Sequence, residues 1–294
     1  HSCSYANVLI VTFPAPEFGW QALSRIEAEK VRACGINLYL VVHNYKDLEL
    51  ERFVKVLDCF KTVTFLTLMQ QAHMDIQRDV EIFATNLPMS VRMVYALFDV
   101  PFDRMCNSVG VHRSKRQKTF VLQGNLELDR RSYGETYKSV MQVSKEGGRI
   151  LLKVMGYYSG LDKSASDQMD KMIAAKTVQR SHPNYDKFLC EIARADCLLS
   201  AFASSLYYHH KFSSSVGMSL ITETPILLNS AASSVYGLTA QTCFIHDGSQ
   251  ADGLRFVLKA DPALVSQMRR NLRDERNRRI ALNREIFQEA FNPR

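Results

Sequence analysis

The sequence predicts an α/β fold with two domains, each built on a parallel β-sheet. The chain has 294 residues, and at roughly 150 residues per domain this length fits two domains. Short β-branched apolar runs alternate with segments of helical periodicity, which is the pattern of a parallel sheet covered by helices. An irregular, charged stretch at residues 101–118 interrupts the alternation. We therefore predict a short N-terminal domain over 1–112, a basic linker at 113–118 and a C-terminal domain over 119–294.

The N-terminal domain opens with a strand. Residues 7–13 (NVLIVTF) form a β-branched apolar run that ends before Pro14 and Pro16, as a buried strand does. Apolar side chains at helical spacing follow and stop at Gly35. The same criteria predict strands at 7–13, 37–42, 63–68 and 80–84, and helices at 20–33, 48–60, 70–78 and 90–98.

The alternation restarts after the linker with residues 119–123 (TFVLQ), a strand that is followed by a Gly124-Asn125 turn. The last predicted helix is unusually long and basic. The predicted strands of this domain are 119–123, 149–155, 177–179, 197–201, 225–228 and 241–245, and its helices are 133–144, 169–173, 185–195, 213–220, 251–259 and 264–291.

The excess of positive over negative charge lies in the second part of the chain. With 46% hydrophobic and 23% charged residues, the composition is that of a folded protein, and no apolar run approaches the roughly 20 residues that cross a bilayer. Residues 1–115 are neutral, so the net charge of +7 lies in 116–294 and indicates an anionic partner: nucleic acid, a phosphorylated small molecule or a lipid surface. The basic clusters are Arg113, Lys115, Arg116 and Lys118 at the junction, and Arg269, Arg270, Arg273, Arg276, Arg278, Arg279 and Arg284 near the end.

The seven cysteines favour reduced, buried thiols. No two of them form a C-x-x-C pair, and none has zinc spacing with a histidine. We therefore expect a protein of the cytosol or of the cytosolic face of a membrane, and the start at His1 leaves open an anchor or signal removed before it. Five cysteines adjoin apolar runs, where a thiol behaves as a small hydrophobe: Cys34, Cys59, Cys190, Cys197 and Cys243.

A first candidate site follows the strand at 119–123. Ligands of open α/β sheets bind beyond the carboxyl ends of the strands, and a glycine there lets the backbone approach a ligand closely. Gly124 and Asn125 occupy this position, and Arg130 and Arg131 follow with side chains suited to phosphate. The alternative is a strand-to-helix turn with two solvated arginines.

A second candidate site is a lysine and a serine triplet at the start of the helix predicted at 213–220. Serine is a favoured N-cap, and the N–H groups of a helix N-terminus bind phosphate, to which the lysine adds a full positive charge. The alternative is a capped surface helix without a ligand. The residues of this site are Lys211, Ser213, Ser214, Ser215 and Val216.

His43 and Asn44 form a third candidate site, just past a predicted strand, although a lone histidine is commonly structural. His209 and His210 are adjacent, so their rings diverge, and we predict no metal site. The sequence lacks the G-x-S-x-G, H-E-x-x-H, Walker and G-x-G-x-x-G motifs, which argues against a hydrolase, a zinc peptidase, a P-loop ATPase and an NAD enzyme.

Segments of the second half follow one another in a recognisable order. They are TFVLQGNLELDRR at the opening strand and loop, RILLKVMG at a strand ending in glycine, NYDKFLCEIARADCLLSA at a helix–strand pair with Ala-Asp before the strand, KFSSSVGMSLITETPILL at a helix ending in x-Pro-apolar-apolar, and SVYG ahead of the long closing helix. In this order they resemble the donor-binding domain of the GT-B glycosyltransferases, in particular the retaining group called family 4 or group 1. The resemblance covers about residues 119–291.

The resemblance implies two Rossmann-like domains that transfer a sugar from a UDP- or GDP-linked donor to a hydroxyl acceptor in the cleft between them. It implies retaining transfer without a metal or another cofactor, because helix amides and basic side chains neutralise the leaving diphosphate. His43 and Asn44 would face a glycan, lipid-linked or protein acceptor. The donor-binding residues would be Gly124, Asn125, Arg130, Arg131, Lys211, Ser213, Ser214, Ser215 and Val216.

The sequence departs from the family at one important place. The family commonly carries a pair of glutamates before the proline, and these positions fall on His210 and Met218, so we assign no catalytic residue. A catalytically inactive binding or scaffold subunit is therefore the alternative. A nucleic-acid-binding protein is less favoured, because Asp274 and Glu275 interrupt the arginines. Peripheral contact of residues 269–284 with an anionic membrane would suit a lipid-linked acceptor.

Overall fold

The chain forms two compact units, each of which combines segments that are distant in the sequence. Residues 1–96, 208–212 and 278–294 make the first unit, and residues 97–207 and 213–277 make the second. Two segments from beyond the predicted linker therefore fold with the first unit. The computed structural model describes residues 7–13, 28–45, 48, 54, 57–83, 87–97, 100, 105–106, 117–124, 132–156, 163–181, 184–202, 205–209 and 211–291.

The described part of the first unit is built on a four-stranded parallel sheet. Its strands, in spatial order, are β1 (Asn7–Phe13), β2 (Asn37–Val42), β3 (Thr62–Thr67) and β4 (Met89–Met93), and its bounded helices are α1 (Ala28–Cys34) and α2 (Gln70–Phe83). Leu38, Leu40, Val63 and Phe65 of the central strands are buried in one core with Ile76 of α2. The parallel α/β class predicted for this half is confirmed.

Two predicted elements of the first unit are wrong. Residues 80–83 of the strand predicted at 80–84 are the end of α2, because Ile76 and Val80 lie one helical turn apart and pack into the same core; residue 84 lies outside the described residues. The helix predicted at 90–98 begins as β4, whose side chains alternate between partly buried and exposed. This period of two is the pattern of an edge strand, and the apolar residues that follow it imitated helical spacing.

The second unit contains a six-stranded sheet within its described residues, and all its strands are parallel. Its spatial order is β10-β9-β8-β5-β6-β7, with β5 (Lys118–Gln123), β6 (Ile150–Met155), β7 (Val178–Ser181), β8 (Cys197–Leu199), β9 (Ile226–Asn229) and β10 (Phe244–His246). The helices that follow α2 in chain order are α3 (Tyr133–Lys145), α4 (Lys163–Ala174), α5 (Tyr185–Ala193), α6 (Leu206–His209), α7 (Ser214–Thr222), α8 (Ser230–Tyr236), α9 (Gln250–Lys259) and α10 (Pro262–Phe291). All six strands predicted for this half are confirmed with shifted ends.

Alternate residues of β5 serve opposite faces of this sheet. Phe120 and Leu122 join a core with Tyr133 and Tyr137 of α3 and with residues of α4, α9 and α10. Gln123, like Val121, points to the other face, because successive side chains of a strand alternate. The start of α7 lies on that face, as the contact between Gln123 and Ser215 shows. The polar end of β5 and the start of α7 therefore lie together on the same face of the sheet.

The long helix α10 belongs to both units. It begins with Pro262, a residue suited to the first helical position because its missing N–H would have no partner there. Its residues up to 277 count with the second unit and its later residues with the first. None of the helices in the described part of the chain is both long and apolar enough to cross a membrane.

The cysteines follow the sequence prediction only in part. Cys59, Cys197 and Cys243 are buried thiols outside any disulfide, and burial raises the pKa of the Cys243 thiol to about 12. Cys106 and Cys190, however, form a disulfide, and Cys34 is disulfide-bonded as well. The prediction of reduced thiols is wrong for these residues, since 84 positions separate Cys106 from Cys190 in the sequence and the fold brings their Cα atoms to 5.4 Å.

Removing the Cys106–Cys190 disulfide should lower the free energy of unfolding by roughly 2–4 kcal/mol, because the bond restricts the unfolded chain across a long loop. We expect Cys190→Ala to unfold at a lower denaturant concentration than the wild type, and Cys59→Ala, which removes a buried thiol outside any disulfide, to change the midpoint less. Denaturant titration without reductant measures both variants. Seven reactive thiols in the unfolded, unreduced protein would contradict the disulfides.

Candidate functional site

The sheet of the second unit has a topological switch point beside its central strand. β5 pairs with β6 on one side and with β8 on the other, and the later strands continue outward in both directions. Helices α3 and α7, which come after β5 and β8 respectively, therefore lie on opposite faces of the sheet, and open α/β sheets bind ligands at the carboxyl edge of such a switch point. The candidate site consists of the exits of β5, β6 and β8 and the start of α7.

A glycine follows directly after β5 and another directly after β6. Gly124 and Gly156 have backbone φ angles of +111° and +153°, which residues with a side chain rarely adopt. A Cβ atom on Gly156 would lie 2.0 Å from the carbonyl oxygen of Gly124. The N–H of Gly124 also donates to the carbonyl oxygen of Met155 at 3.0 Å. The two exits thus pack backbone against backbone, and the exit of β5 at Gly124 itself requires a glycine at position 156.

The exit of β8 is strained. Ala201 has a φ of +47°, a left-handed conformation that costs an L-residue roughly 1–2 kcal/mol. Its carbonyl oxygen accepts a hydrogen bond of 3.0 Å from the N–H of Ser132, which precedes α3. The next side chain, Phe202, stacks on Tyr207 with 5.0 Å between ring centroids. Backbone strain outside glycine concentrates at ligand sites, so this exit supports the choice of the site.

The start of α7 is the serine triplet that the sequence analysis singled out. Ser213 is the N-cap, and its hydroxyl oxygen accepts a hydrogen bond of 3.2 Å from the N–H of Ser215. Ser214, the first helical residue, is exposed, whereas Ser215 is buried. The predicted helix start is confirmed, and the binding of phosphate to it stays a prediction.

Gln123 connects the exit of β5 to the start of α7. The residue is 4% exposed, and its Nε2 lies 3.1 Å from Ser215 Oγ and 3.4 Å from Ser214 Oγ. The sequence analysis proposed the residues that follow Gln123 and missed Gln123 itself. No local signal reveals it, because its partners come 91 and 92 positions later in the chain.

Arginines of α10 hold the opposite end of α7. Glu223 is the left-handed C-cap of α7, and its carboxylate accepts hydrogen bonds from Arg273 at 2.7 and 3.0 Å. Arg276 lies 3.1 Å from the same carboxylate. Arg269 donates to the carbonyl oxygen of Ala193 at 2.8 Å and to that of Glu223 at 3.2 Å. Cationic groups stabilise helix C-termini, so these contacts hold α5 and α7 in place.

These contacts change the interpretation of the basic last helix. The three arginines above bind groups of the second unit, and the guanidinium of Arg279 lies 4.7 Å from the centroid of the Tyr95 ring within the first unit. Four of the seven arginines that the sequence analysis treated as a solvated or docking face are thus engaged inside their own unit. The other three, Arg270, Arg278 and Arg284, are exposed.

The structure places Lys211 with the predicted acceptor-side residues. Residues 208–212 belong to the first unit, and Lys211 forms an isolated antiparallel bridge with Asn44. Phe212 packs against a small apolar cluster of the same unit, and His43 is exposed beside Asn44. The serine triplet, by contrast, belongs to the second unit.

Several residues of the sequence argument lie outside the described residues: Asn125, Arg130, Arg131 and His210, and Arg113, Lys115 and Arg116 of the junction. Within the described ranges, no group of three or more His, Cys, Asp or Glu side chains could hold a metal ion. The predicted donor residues that the structure describes are Gly124, Lys211, the serine triplet and Val216.

No protein-family model matches the sequence, and none of the curated proteins is significantly similar to it. Solved structures are similar in fold. A UDP-forming trehalose-phosphate synthase from Burkholderia vietnamiensis has a TM-score of 0.62 at 10% identity, over 88% of this chain and 70% of the synthase. HepE from Anabaena, in complex with UDP and glucose, has a TM-score of 0.63 at 12% identity, over 92% and 75%. A glycosyltransferase from Rickettsia africae has a TM-score of 0.59 at 10% identity, over 95% and 84%.

The fold is GT-B-like. The resemblance stated from the sequence and the prediction of two parallel α/β sheets are both confirmed at the level of the fold. At identities near 10%, the structural similarity does not extend to individual site residues.

In the first half of this GT-B-like fold, the sequence analysis missed a polar cluster beyond β2 and β3. The Tyr45 hydroxyl donates to Asp79 of α2 at 2.7 Å, and burial and Asp79 together raise the pKa of Tyr45 to about 12. His73 Nδ1 lies 3.5 Å from the Thr67 hydroxyl, and burial lowers the pKa of His73. Both side chains are therefore neutral hydrogen-bonding groups at neutral pH.

Gly156→Ala should destabilise the GT-B-like second unit by roughly 1–3 kcal/mol, because the new Cβ would meet the backbone of Gly124 in a conformation that favours glycine. Gly134→Ala is the matched control: a Cβ there meets nothing within 4 Å, and alanine is the better helix former in α3. Thermal unfolding of the two variants compares them. Equal melting temperatures for Gly156→Ala and the wild type would contradict the close packing of the two strand exits.

Proposed function

We propose that the protein transfers a sugar from a nucleotide-diphosphate donor to a hydroxyl acceptor. The observation that carries the proposal is the switch-point edge of the second sheet, where backbone-only strand exits lie at the same edge as a serine-capped helix start. Two similar solved structures, a UDP-forming synthase and HepE with UDP and glucose, support a UDP-sugar as the donor. A GDP-sugar is the other donor that the proposal includes.

In this proposal the start of α7 binds the donor diphosphate. The N-terminal N–H groups of this helix carry partial positive charge, and the exposed Ser214 adds a hydroxyl. Gly124 lets the backbone approach the phosphates, and Lys211 adds a full charge shortly before the N-cap. Ser213, Ser215 and Val216 build the helix start, and Asn125, Arg130 and Arg131 complete the proposed donor site.

The proposed reaction breaks the bond between the sugar C1 and the diphosphate oxygen and forms a bond from C1 to the acceptor oxygen. Negative charge grows on the leaving diphosphate, and amides and cations already aimed at it stabilise the transition state. The acceptor hydroxyl passes its proton to the leaving diphosphate oxygen as the new bond forms. We propose retention of configuration at C1 and charge neutralisation by these groups without a metal, as the family resemblance implies.

The acceptor is proposed to bind at the carboxyl edge of the first sheet, where His43 and Asn44 follow β2. Tyr45 and His73 add neutral donors and acceptors of hydrogen bonds there, which suits the hydroxyl groups of a sugar. A glycan, a lipid-linked sugar or a glycosylated protein all present such hydroxyls.

The cellular compartment is a separate part of the proposal. The sequence favours the cytosol or a cytosolic membrane face, whereas the disulfides of Cys106, Cys190 and Cys34 are typical of oxidising compartments. We infer that the protein folds in an oxidising compartment, because structural disulfides are rare in the cytosol. Contact with an anionic membrane depends on the exposed Arg270, Arg278 and Arg284.

Binding of UDP or GDP should raise the melting temperature of the protein. A ligand that binds only the folded state at 100 times its dissociation constant stabilises it by about 2.7 kcal/mol. We expect a shift of several degrees with UDP or GDP and a much smaller one with uridine or guanosine, because the proposed contacts are to phosphate. A thermal-shift titration measures this, and the absence of a shift with every nucleotide would overturn the proposal.

Lys211→Ala should weaken nucleotide binding roughly tenfold, since a charged contact to the diphosphate is lost. Lys259→Ala, which removes an exposed lysine at the end of α9, should leave binding unchanged. Calorimetric titration with UDP or GDP compares the two variants. Incubation with UDP- and GDP-sugars then tests transfer: binding without donor consumption or transfer would favour the inactive binding subunit.

A further inference from the structure

The buried amide of Gln123 contacts two serine hydroxyls. Burying a primary amide is costly unless its groups are hydrogen-bonded, and the Nε2 of Gln123 lies within reach of two serine hydroxyls. Its nitrogen has two hydrogens, so one is available for each serine. The buried Ser215 accepts the shorter of the two bonds and anchors the amide, while the exposed Ser214 accepts the longer one.

This arrangement determines which way the Ser214 hydroxyl donates. A hydroxyl that accepts a hydrogen bond from an amide still has its own hydrogen to donate elsewhere. A serine within a helix commonly turns this hydrogen to the carbonyl four residues earlier. Ser214 is the first residue of α7, so no preceding helical turn offers that carbonyl, and its hydrogen is available to a group outside the helix.

We propose that Gln123 is a positioning residue of the donor site, which makes the Ser214 hydroxyl a hydrogen-bond donor to the donor's diphosphate. The inference rests on the proposed function and extends it by naming a residue that acts through another. Two observations at the same sheet edge support a ligand there: the switch point and the strained backbone of Ala201. Gln123 holds the first strand exit and the helix start in one arrangement.

Binding of a nucleoside diphosphate and of its nucleoside to the full chain separates this role from a structural one. The probes are UDP and uridine, or GDP and guanosine where GDP is the nucleotide bound. Gln123→Met removes the amide at similar volume and should weaken diphosphate binding about five- to tenfold, with nucleoside binding changed less than about twofold. Gln123→Glu should weaken it further at neutral pH, because a carboxylate accepts the serine hydrogens and adds negative charge.

A double-mutant cycle provides the sharpest test. Ser214→Ala, at an exposed position, removes the oriented hydroxyl and should weaken diphosphate binding as much as Gln123→Met does. The combination of both changes should weaken it no further, because the amide acts only through this hydroxyl. Gln142→Met on the exposed face of α3 is the matched control and should leave both affinities unchanged.

The outcomes distinguish the two levels of the proposal. A wild-type chain that binds neither UDP nor GDP overturns the donor site and this inference with it. The positioning role alone is overturned if the wild type binds the nucleotide and Gln123→Met loses diphosphate and nucleoside affinity equally. Additive losses in the double variant would overturn it as well. Should Gln123→Met fail to fold, an unchanged diphosphate affinity in Ser214→Ala overturns the inference equally.

Discussion

The pairing of β5 with a parallel neighbour on each side is the constraint on which the rest of the second unit depends. Because every strand of this sheet runs the same way, all the carboxyl ends reach one edge, and the reversal of strand order at β5 opens that edge. Asp196 strengthens this arrangement where β5 begins: its carboxylate accepts a hydrogen bond of 2.8 Å from the N–H of Thr119. The glycine exits, the strained Ala201 and the start of α7 are all located by this one pairing.

Much of the positive charge of the second unit serves its own fold. Arg269, Arg273 and Arg276 bind Glu223 and the carbonyl oxygens at the ends of α5 and α7. These carbonyls carry the negative ends of helix dipoles, so arginine side chains stabilise them more than water alone does. The same contacts fix the far end of α7, whose start is proposed to bind phosphate. Arginines of the basic helix thus support the candidate site from inside the unit.

Sequence reasoning found the parts of the site that are local. Gly124 stands directly after a β-branched run, and Ser213 stands directly before a helical one, so strand exit and N-cap could be recognised by position. It could not find Gln123, whose partners lie more than 90 positions away, or the disulfide between Cys106 and Cys190. It also confused the end of α2 with a strand, because a few apolar residues fit both periods until their neighbours in the core are known.

The sequence by itself determined the parallel α/β class, the six strands of the second half and the resemblance to GT-B glycosyltransferases. These depend on periodicity and on the order of segments, which a chain carries in its local pattern. Only the tertiary structure decided that Lys211 bridges to Asn44, that Arg269 binds the carbonyl oxygen of Ala193 and that Arg273 binds Glu223. It also decided that Gln123 meets the serine triplet. Such contacts join residues that are distant in the sequence, and their energies depend on burial and distance, which exist only once the chain has folded.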